Sequence, residues 1–346
     1  MRNRCAIIVI ACLCCLITSS PVFAWGSAGH MAIGHIADQL LEGSSAQQHV
    51  QTILGKEGTL RDAAIWPDCA KYIQPTQDFQ YSPDPRYYDK QCAIYESDAG
   101  KQEMSDYVRR NNDNCEYAGH KQNCHKAFHF ADIPIQEDHY DRSFVGATDT
   151  DVVHAINAAI AVLRGVDAPP PFQFASGEQG QREALRLLAH FVGDLHQPLH
   201  VGAIYLSNDG SPVNPDVSGY DPATNNEGGN LLQVGAKAEL HGEWDKISRS
   251  LAGEDLSTDA SAITTTTGEM DTWATQWASE TVLQARNAYS GLSFGAEQQD
   301  NRGKVSWPLT FGDRRAYLDA EHTLQRQQVI KAGARLAQVL RVIWPD

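Results

Sequence analysis

Residues 183–195 form the strongest helical pattern in the chain, and they carry His190 and Asp194. Apolar residues recur there at spacings of three and four, which predicts a helix. A separation of four residues places the imidazole and the carboxylate one turn apart on the same helix face. Pro198, just beyond, is expected to end or turn the helix before His200. The segment therefore predicts a helix that presents two potential metal ligands together.

Four further segments show the same spacing, so the sequence predicts a mainly helical protein. They are 31–41, 152–163, 273–289 and 315–343. A chain of 346 residues can bury a substantial core, and no second apolar-periodic block stands apart from the rest. We therefore expect one domain over residues 25–346, preceded by a removable segment at 1–24.

Two stretches are expected to depart from the helical pattern. Residues 231–234 are predicted to pair with residues 202–206 as a small β-hairpin, whose long tip covers 208–230. Residues 74–124 are rich in Asp, Asn, Tyr and Pro, and we expect a long loop stapled by disulfide bonds.

The N-terminus has the pattern of a secretory signal peptide. Arg2 and Arg4 precede an apolar stretch over 6–17, and Val22 and Ala24 supply the small residues at −3 and −1 of a cleavage site. The mature chain is expected to begin at Trp25 and to be secreted or periplasmic. The alternative, a lipoprotein signal ending at Cys12, has an apolar stretch of only about six residues, short against the usual range.

Export has consequences for cysteine and charge. Four cysteines remain after residue 24, namely Cys69, Cys92, Cys115 and Cys124. In an oxidising compartment they predict two disulfide bonds, and all three pairings stay open. The mature chain keeps 26 basic residues against 43 acidic residues, a net charge of −17. This charge argues against nucleic-acid binding through a basic surface but not against a nuclease that uses metal charge.

A second His-x3-Asp pair, His241 and Asp245, repeats the arrangement of the first. Neutral imidazole and carboxylate oxygen are the ligands that divalent zinc takes in proteins. One isolated pair is more simply a hydrogen bond on a helix surface. Two pairs together with His200 favour a zinc site instead.

The chain resembles the S1/P1-type trinuclear-zinc nucleases, which include the fungal single-strand nucleases and the plant bifunctional nucleases. Five motifs in the family's order carry this resemblance: Trp25-Gly26 with His30, Ile65-Trp66-Pro67-Asp68, Phe128-His129-Phe130-Ala131-Asp132, the run from His190 through Asp194 to His200, and Gly228-Gly229-Asn230 followed by His241 and Asp245. The resemblance implies a single-domain, mainly α fold like that of zinc-dependent phospholipase C, with a small β-hairpin and long disulfide-stapled loops.

The resemblance also implies three zinc ions with nine protein ligands. The first ion takes Asp68, His129, His190 and Asp194; the second takes the α-amino nitrogen and carbonyl oxygen of Trp25 with His30 and Asp194; the third takes His200, His241 and Asp245. Asp194 then bridges the first two ions. In this assignment Asp68, Lys71 and Asp194 belong to the catalytic machinery.

The role of the Trp25 amine has a physical basis of its own. An α-amino group has a pKa near 8, so a nearby dication displaces its proton at neutral pH. While Ala24 remains bonded to Trp25, an amide replaces the amine, and export would then activate the protein. The alternative is that Trp25 is only a buried aromatic residue beside the cleavage site.

The reaction implied by the resemblance is hydrolysis of single-stranded DNA and RNA to 5′-nucleotides, often with removal of 3′-phosphate from mononucleotides. A hydroxide that bridges two zinc ions would attack phosphorus. Phe130 matches the residue on which a base stacks, and Asp132 matches the carboxylate that binds that base. Stacking needs an unpaired base, which explains a single-strand preference. Lys71 stands where fungal enzymes have an Arg near the scissile phosphate, and it lacks the planar fork of that residue.

Two other functions remain as alternatives. A phospholipase C-like phosphodiesterase would need an apolar channel, whereas Phe130 and Asp132 favour a nuclease. A non-enzymatic zinc-binding protein would need no aromatic residue for base stacking. We expect a monomer without a stable protein partner and without membrane attachment once the signal peptide is removed.

Overall fold

The computed structural model describes residues 25–55, 58–112, 115–117, 120–235, 238–247, 251, 254–301 and 303–346. The predicted signal peptide and its cleavage site up to Ala24 lie outside the described residues. No helix in these ranges is both long enough and apolar enough to cross a membrane.

Helices dominate the described part of the chain. They are α1 (Ser27–Leu40), α2 (Ser45–Leu54), α3 (Leu60–Ala63), α4 (Trp66–Ala70), α5 (Asp98–Arg110), α6 (Cys124–Ala127), α7 (Val152–Leu163), α8 (Gly177–His196), α9 (Pro198–Val201), α10 (Pro215–Ser218), α11 (Leu240–Trp244), α12 (Ser257–Ser261), α13 (Trp273–Tyr289) and α14 (Arg314–Ile343). Short 3₁₀ turns occur at Pro75–Gln77, Lys90–Tyr95, Pro222–Thr224 and Met270–Thr272. The prediction of a mainly α, single-domain fold is confirmed.

The five helices predicted from apolar spacing are α1, α7, α8, α13 and α14, and all five are present. Local chemistry fixes some of their ends. The Asp313 side chain accepts hydrogen bonds from the backbone N–H groups of Arg315 and Ala316, which caps α14. Helix α8 ends at His196 because Pro198 forces Gln197 into an extended conformation, with φ −82° and ψ 116°.

Helix α8 lies in the centre of the fold and contacts α1, α7, α13 and α14. Its apolar side chains Leu185, Leu188, Phe191, Val192 and Leu195 are fully buried. Burial of each such side chain contributes about 1.5 to 3 kcal/mol to stability. Because apolar neighbours surround the second half of α8, the polar residues that it carries are held in a rigid, dry environment.

The strands are short and lie around the helices. They are β1 (Ile73–Gln74), β2 (Gln80–Tyr81), β3 (Cys115–Tyr117), β4 (His120–Gln122), β5 (Ile133–Pro134), β6 (Gly202–Ala203), β7 (Tyr205–Leu206), β8 (Pro212–Val213), β9 (Leu232–Gln233), β10 (Leu292–Phe294), β11 (Gln298–Gln299) and β12 (Val305–Phe311). Strand β12 pairs antiparallel with β10 and β11 and parallel with β9.

The predicted pairing of residues 231–234 with residues 202–206 is wrong. Strand β9 pairs with β12 at Trp307 and Pro308, and β6 pairs with β5. Strand β7 instead forms a tight antiparallel hairpin with β8. The turn of this hairpin contains Gly210 at φ +86°, and a local turn of this kind closes with less loss of chain entropy than the predicted long tip.

The prediction of a long loop over 74–124 is wrong in part, because this stretch contains helix α5. Ser97 caps α5 by accepting a hydrogen bond from the N–H of Gly100. Only Met104, Tyr107 and Val108 of α5 are buried, so its apolar pattern is weak. The two expected disulfide bonds are present, and their pairs are Cys69–Cys92 and Cys115–Cys124.

Candidate metal centre

His190 and Asp194 lie side by side on one face of α8, as their spacing predicts. The Nε2 atom of His190 is 3.1 Å from Oδ2 of Asp194, and both side chains are fully buried. Nδ1 of His190 lies 2.6 Å from the carbonyl oxygen of Ala64. Because a carbonyl oxygen only accepts hydrogen bonds, Nδ1 of His190 carries the hydrogen, and Nε2 faces the carboxylate of Asp194.

Asp68 of α4 and His129 complete a first cluster with His190. Nδ1 of His129 is 3.0 Å from Nε2 of His190 and 2.8 Å from Oδ2 of Asp194. Oδ1 of Asp68 is 3.6 Å from Nε2 of His190. Pro67 occupies the first turn of α4, where a missing N–H costs no helical hydrogen bond. These atoms are close enough to one another to hold a metal ion together.

His30 of α1 forms a second cluster with His190 and Asp194. The His30 and His190 rings stack with centroids 3.8 Å apart, and Nε2 of His30 is 3.3 Å from Oδ1 of Asp194. This approach requires Gly193, because a Cβ atom at that position would lie 2.9 Å from Nδ1 of His30. Asp194 therefore directs one carboxylate oxygen towards each of the two clusters.

Trp25 lies between α8 and the end of α11. Its indole N–H donates to the carbonyl oxygen of Gly193 at 2.9 Å, and the N–H of Gly26 donates to the carbonyl oxygen of Asp245 at 2.8 Å. The side chain of Trp25 is fully buried. These contacts place the backbone of Trp25 beside residues of both neighbouring clusters.

His200, His241 and Asp245 form the third cluster. Nε2 of His200 is 3.0 Å from Nε2 of His241, and Nε2 of His241 is 3.7 Å from Oδ2 of Asp245. Nδ1 of His200 lies 2.7 Å from the carbonyl oxygen of His129, and Nδ1 of His241 lies 2.7 Å from that of Gly228. Gly228 is at φ +57°, and a Cβ atom there would lie 2.5 Å from the carbonyl oxygen of Leu199.

The donors of these clusters fit divalent zinc. Three rings, those of His190, His200 and His241, hold their Nδ1 hydrogen on a backbone carbonyl, which is the usual second contact of a zinc-binding histidine. The Nε2 atoms of His200 and His241 therefore face each other, and Nε2 of His190 faces Nδ1 of His129. Two nitrogens on one tetrahedral zinc ion lie about 3.3 Å apart, close to the separations observed between the rings.

Several buried polar atoms at the clusters have no hydrogen-bond partner among the described residues. They are both ring nitrogens of His30, Nε2 of His129 and Oδ1 of Asp194. A buried polar atom without a partner costs about 1 to 3 kcal/mol. Of these atoms, Nε2 of His30 and Oδ1 of Asp194 lie 3.3 Å apart without making a hydrogen bond, an arrangement that suits a cation bound by both.

The pKa shifts of His129 and Asp194 favour the protonation states that bind metal, whereas that of His190 does not: burial lowers the pKa of His190, but the carboxylates of Asp194 and Asp68 outweigh burial and raise it. Burial, then Lys71, lowers the pKa of His129 to about 3. Burial opposes the ionisation of Asp194, but the neighbouring imidazoles of His190, His129 and His200 hold its pKa well below the usual range. His129 is therefore neutral and Asp194 ionised at neutral pH, as metal ligands must be.

The third cluster contains neutral histidines and a carboxyl group that has no charged partner. Burial lowers the pKa of His200 well below its usual value and lowers that of His241 to about 4. Burial raises the pKa of Asp245 well above its usual value, although the Gln197 amide opposes this shift. A cation bound between these residues would favour the ionised form of Asp245, because a nearby positive charge lowers the pKa of a carboxyl group.

The candidate substrate residues lie next to the clusters. Phe130 follows His129 and is half-buried, whereas Phe128 is 1 % exposed and belongs to the core. The backbone oxygen of Asp132 accepts a hydrogen bond from the Tyr205 hydroxyl at 2.7 Å. Lys71 is buried, and its ammonium nitrogen lies 2.8 Å from Oδ1 of Asp68.

Sequence reasoning missed the residues that orient the ligands. Gln197 donates to Oδ1 of Asp245 at 2.9 Å, and its only signal in the sequence is a position just before Pro198. The carbonyl groups of Ala64 and Gly228 leave no signal, because every residue has one. His125, four residues before His129, is buried but belongs to none of the three clusters.

A mainly helical fold with three adjoining His/Asp clusters, two of which include residues of the central helix α8, is typical of a protein that binds several metal ions. The sequence model of the family described as S1/P1 Nuclease matches residues 25–344. Endonuclease 1 of Arabidopsis thaliana is 22 % identical over an alignment of 382 residues, which covers 100 % of this chain and 95 % of that protein. The chain belongs to the S1/P1 nuclease family. The suspected resemblance is confirmed.

Proposed function

We propose that the chain is an exported, zinc-dependent endonuclease that hydrolyses single-stranded DNA and RNA to 5′-nucleotides and also has 3′-nucleotidase activity. Membership of the S1/P1 nuclease family supports the nuclease class. The three adjoining, buried His/Asp clusters are the observation that carries the metal dependence, and the single-strand preference is proposed from Phe130 beside His129. The mature domain begins at Trp25, acts as a monomer and holds three zinc ions.

Nine residues would hold the metal ions in this proposal: Trp25, His30, Asp68, His129, His190, Asp194, His200, His241 and Asp245. Zinc supplies Lewis acidity, lowers the pKa of water towards 7 and neutralises phosphate charge. The chain contributes imidazoles fixed on backbone carbonyls and buried carboxylates. Rigid placement of this kind keeps the donors in position during the reaction.

Three further residues would handle the substrate. The Phe130 ring stacks on an unpaired base, which a duplex does not present. The Asp132 carboxylate accepts hydrogen bonds from that base, and its backbone is fixed by Tyr205. Lys71 lies beside Asp68, so its ammonium group adds positive charge next to the first cluster. Apart from the metal-binding histidines, the proposed catalytic residues are Asp68, Lys71 and Asp194.

The cleavage test uses the protein that begins at Trp25 with single-stranded and duplex DNA of the same sequence. We expect single strands to be cut, cutting to stop with chelator, and zinc to restore it. Products should carry 5′-phosphate, and a 3′-mononucleotide should release phosphate. Absence of chelator-sensitive cleavage would reject the nuclease proposal. Cleavage of phosphodiester lipid head groups alone would favour the phospholipase C-like alternative, and zinc binding without any hydrolysis would favour the non-enzymatic one.

The export part of the proposal has its own test. A protein with one extra residue before Trp25 has an amide in place of the free amine. An amide nitrogen is a poor ligand, so we expect lower zinc content and lower activity than in the protein that begins at Trp25. A protein extended instead at Asp346, far along the chain, is the matched control. Full zinc content in the N-terminally extended protein would show that the amine is not a ligand.

A further inference from the structure

Gln197 makes hydrogen bonds to three of the proposed metal ligands, Asp194, His200 and Asp245. Its backbone N–H donates to the carbonyl oxygen of Asp194 at 2.9 Å, and its carbonyl oxygen accepts from the N–H of His200 at 3.0 Å. Its side-chain nitrogen donates to Oδ1 of Asp245 at 2.9 Å. Gln197 is fully buried, so these contacts lie away from solvent.

The orientation of the Gln197 amide is fixed by a second hydrogen bond. Its Oε1 atom accepts the N–H of Leu199 at 2.6 Å. A backbone N–H can only donate, so Oε1 must face Leu199 and Nε2 must face Asp245. The reversed amide would place two donors together at Leu199 and two acceptors together at Asp245. The side chain therefore has one allowed orientation.

Pro198 explains why Gln197 can make these contacts. The proline restricts Gln197 to an extended backbone, so Gln197 leaves the face that it would occupy in a continuous helix. Its side chain then caps α9, the short helix that carries His200, and also reaches Asp245 at the end of α11. Gln197 thus connects the end of α8 to two residues of the third cluster, His200 and Asp245.

We propose that Gln197 is a positioning residue that holds Asp245 in place for the third metal ion. The amide occupies Oδ1 of Asp245 and leaves Oδ2, the oxygen nearer to His241, for the metal. This inference rests on the proposed function, because it takes the third cluster to be a zinc site. Loss of a contact behind a metal ligand typically costs 10- to 100-fold in metal affinity.

The test compares zinc retention in the holoenzyme, Gln197→Met and Gln328→Met over a series of buffered free-zinc concentrations. Gln328 is a matched control, because it is buried and donates to the carbonyl oxygen of His196 at 3.0 Å without touching a proposed ligand. We expect Gln197→Met to release one of three ions at about 10- to 100-fold higher free zinc than the wild type. The Gln328→Met variant should retain all three ions like the wild type.

Two outcomes would overturn the role of Gln197. One is a zinc release curve of Gln197→Met that matches the wild type. The other is failure of both Gln197→Met and Gln197→Glu to fold. The Glu variant keeps the length of the side chain and the oxygen that accepts from the N–H of Leu199. If neither variant folds, Gln197 is needed for folding rather than for placing Asp245. A wild-type chain with fewer than three zinc ions would instead count against the proposed function, so the two failures are distinguishable.

Discussion

The Nε2 atoms of His200 and His241 lie 3.0 Å apart, although both rings hold their hydrogen on Nδ1. Burial also disfavours the protonated form of each ring, because it lowers both pKa values. Two lone pairs at this separation repel each other unless a cation lies between them. The two rings are therefore arranged to bind a metal ion between their Nε2 atoms.

Asp194 and Asp245 are expected to differ in how many metal ions each one holds. Asp194 directs Oδ1 to His30 and Oδ2 to His129, so it serves two clusters, whereas Asp245 serves one. We expect Asp194→Asn to lose at least two zinc ions and Asp245→Asn to lose one. Elemental analysis of the folded variants measures this. Equal losses in the two variants would show that Asp194 does not bridge.

Phe130 and Phe128 provide a matched pair for substrate binding. We expect Phe130→Ala to raise KM for single-stranded DNA about 5- to 150-fold, since stacking on one aromatic ring contributes about 1 to 3 kcal/mol. The ring of Phe128 packs on Phe172 with centroids 4.6 Å apart. Phe128→Ala should therefore lower the free energy of unfolding by about 3 to 5 kcal/mol and leave KM of the folded fraction unchanged. The opposite pattern would place Phe130 in the core.

The two disulfide bonds are expected to differ in their contribution to stability. Cys69–Cys92 spans 23 residues and Cys115–Cys124 spans 9. A longer closed loop restricts the unfolded chain more, so the first bond should contribute about 1 kcal/mol more than the second. Denaturant unfolding of the two double Cys→Ala variants tests this order. A larger loss of unfolding free energy on removal of Cys115–Cys124 would mean that contacts in the native state, rather than the entropy of the unfolded chain, set the contribution of each bond.

Glu321 is expected to make stability depend on pH. Burial, with the Glu243 carboxylate, raises the pKa of Glu321 from an ordinary 4.5 to about 7. The folded state binds this proton more tightly than the unfolded state, so its contribution is intact below about pH 4.5 and is lost as pH rises through 7.

Glu321→Gln removes this titration. We expect the variant to gain stability over the wild type by roughly 1 to 3 kcal/mol between pH 5 and pH 8, measured by denaturant unfolding. The exposed Glu269→Gln should show no such gain. A difference between Glu321→Gln and wild type that stays constant with pH would contradict the raised pKa.

Periodicity predicted the parts of the molecule that are long and amphipathic. Helices α7 and α13 match the predicted segments at both ends, because their buried faces repeat over several turns. The same regularity placed His190 beside Asp194. Helix α5 escaped prediction because its three buried residues, Met104, Tyr107 and Val108, are too few to stand out from polar neighbours.

Features set by contacts between distant segments had weaker signals in the sequence. Strand β9 has two residues and finds its partner 75 positions away at Trp307, so local pattern did not reveal the pairing. The disulfide pairs depend on where the loops fold, and four cysteines allowed three pairings. Gln197 gains its role only when Asp245 comes close to the end of α8.

The most direct test of the metal centre is anomalous diffraction at the zinc edge from crystals of the protein that begins at Trp25. We expect three zinc peaks: one by Asp68 and His129, one by His30 and Trp25, and one by His200 and His241. Fewer than three peaks, or peaks remote from α8 with these side chains apart, would show that the metal centre is not as proposed.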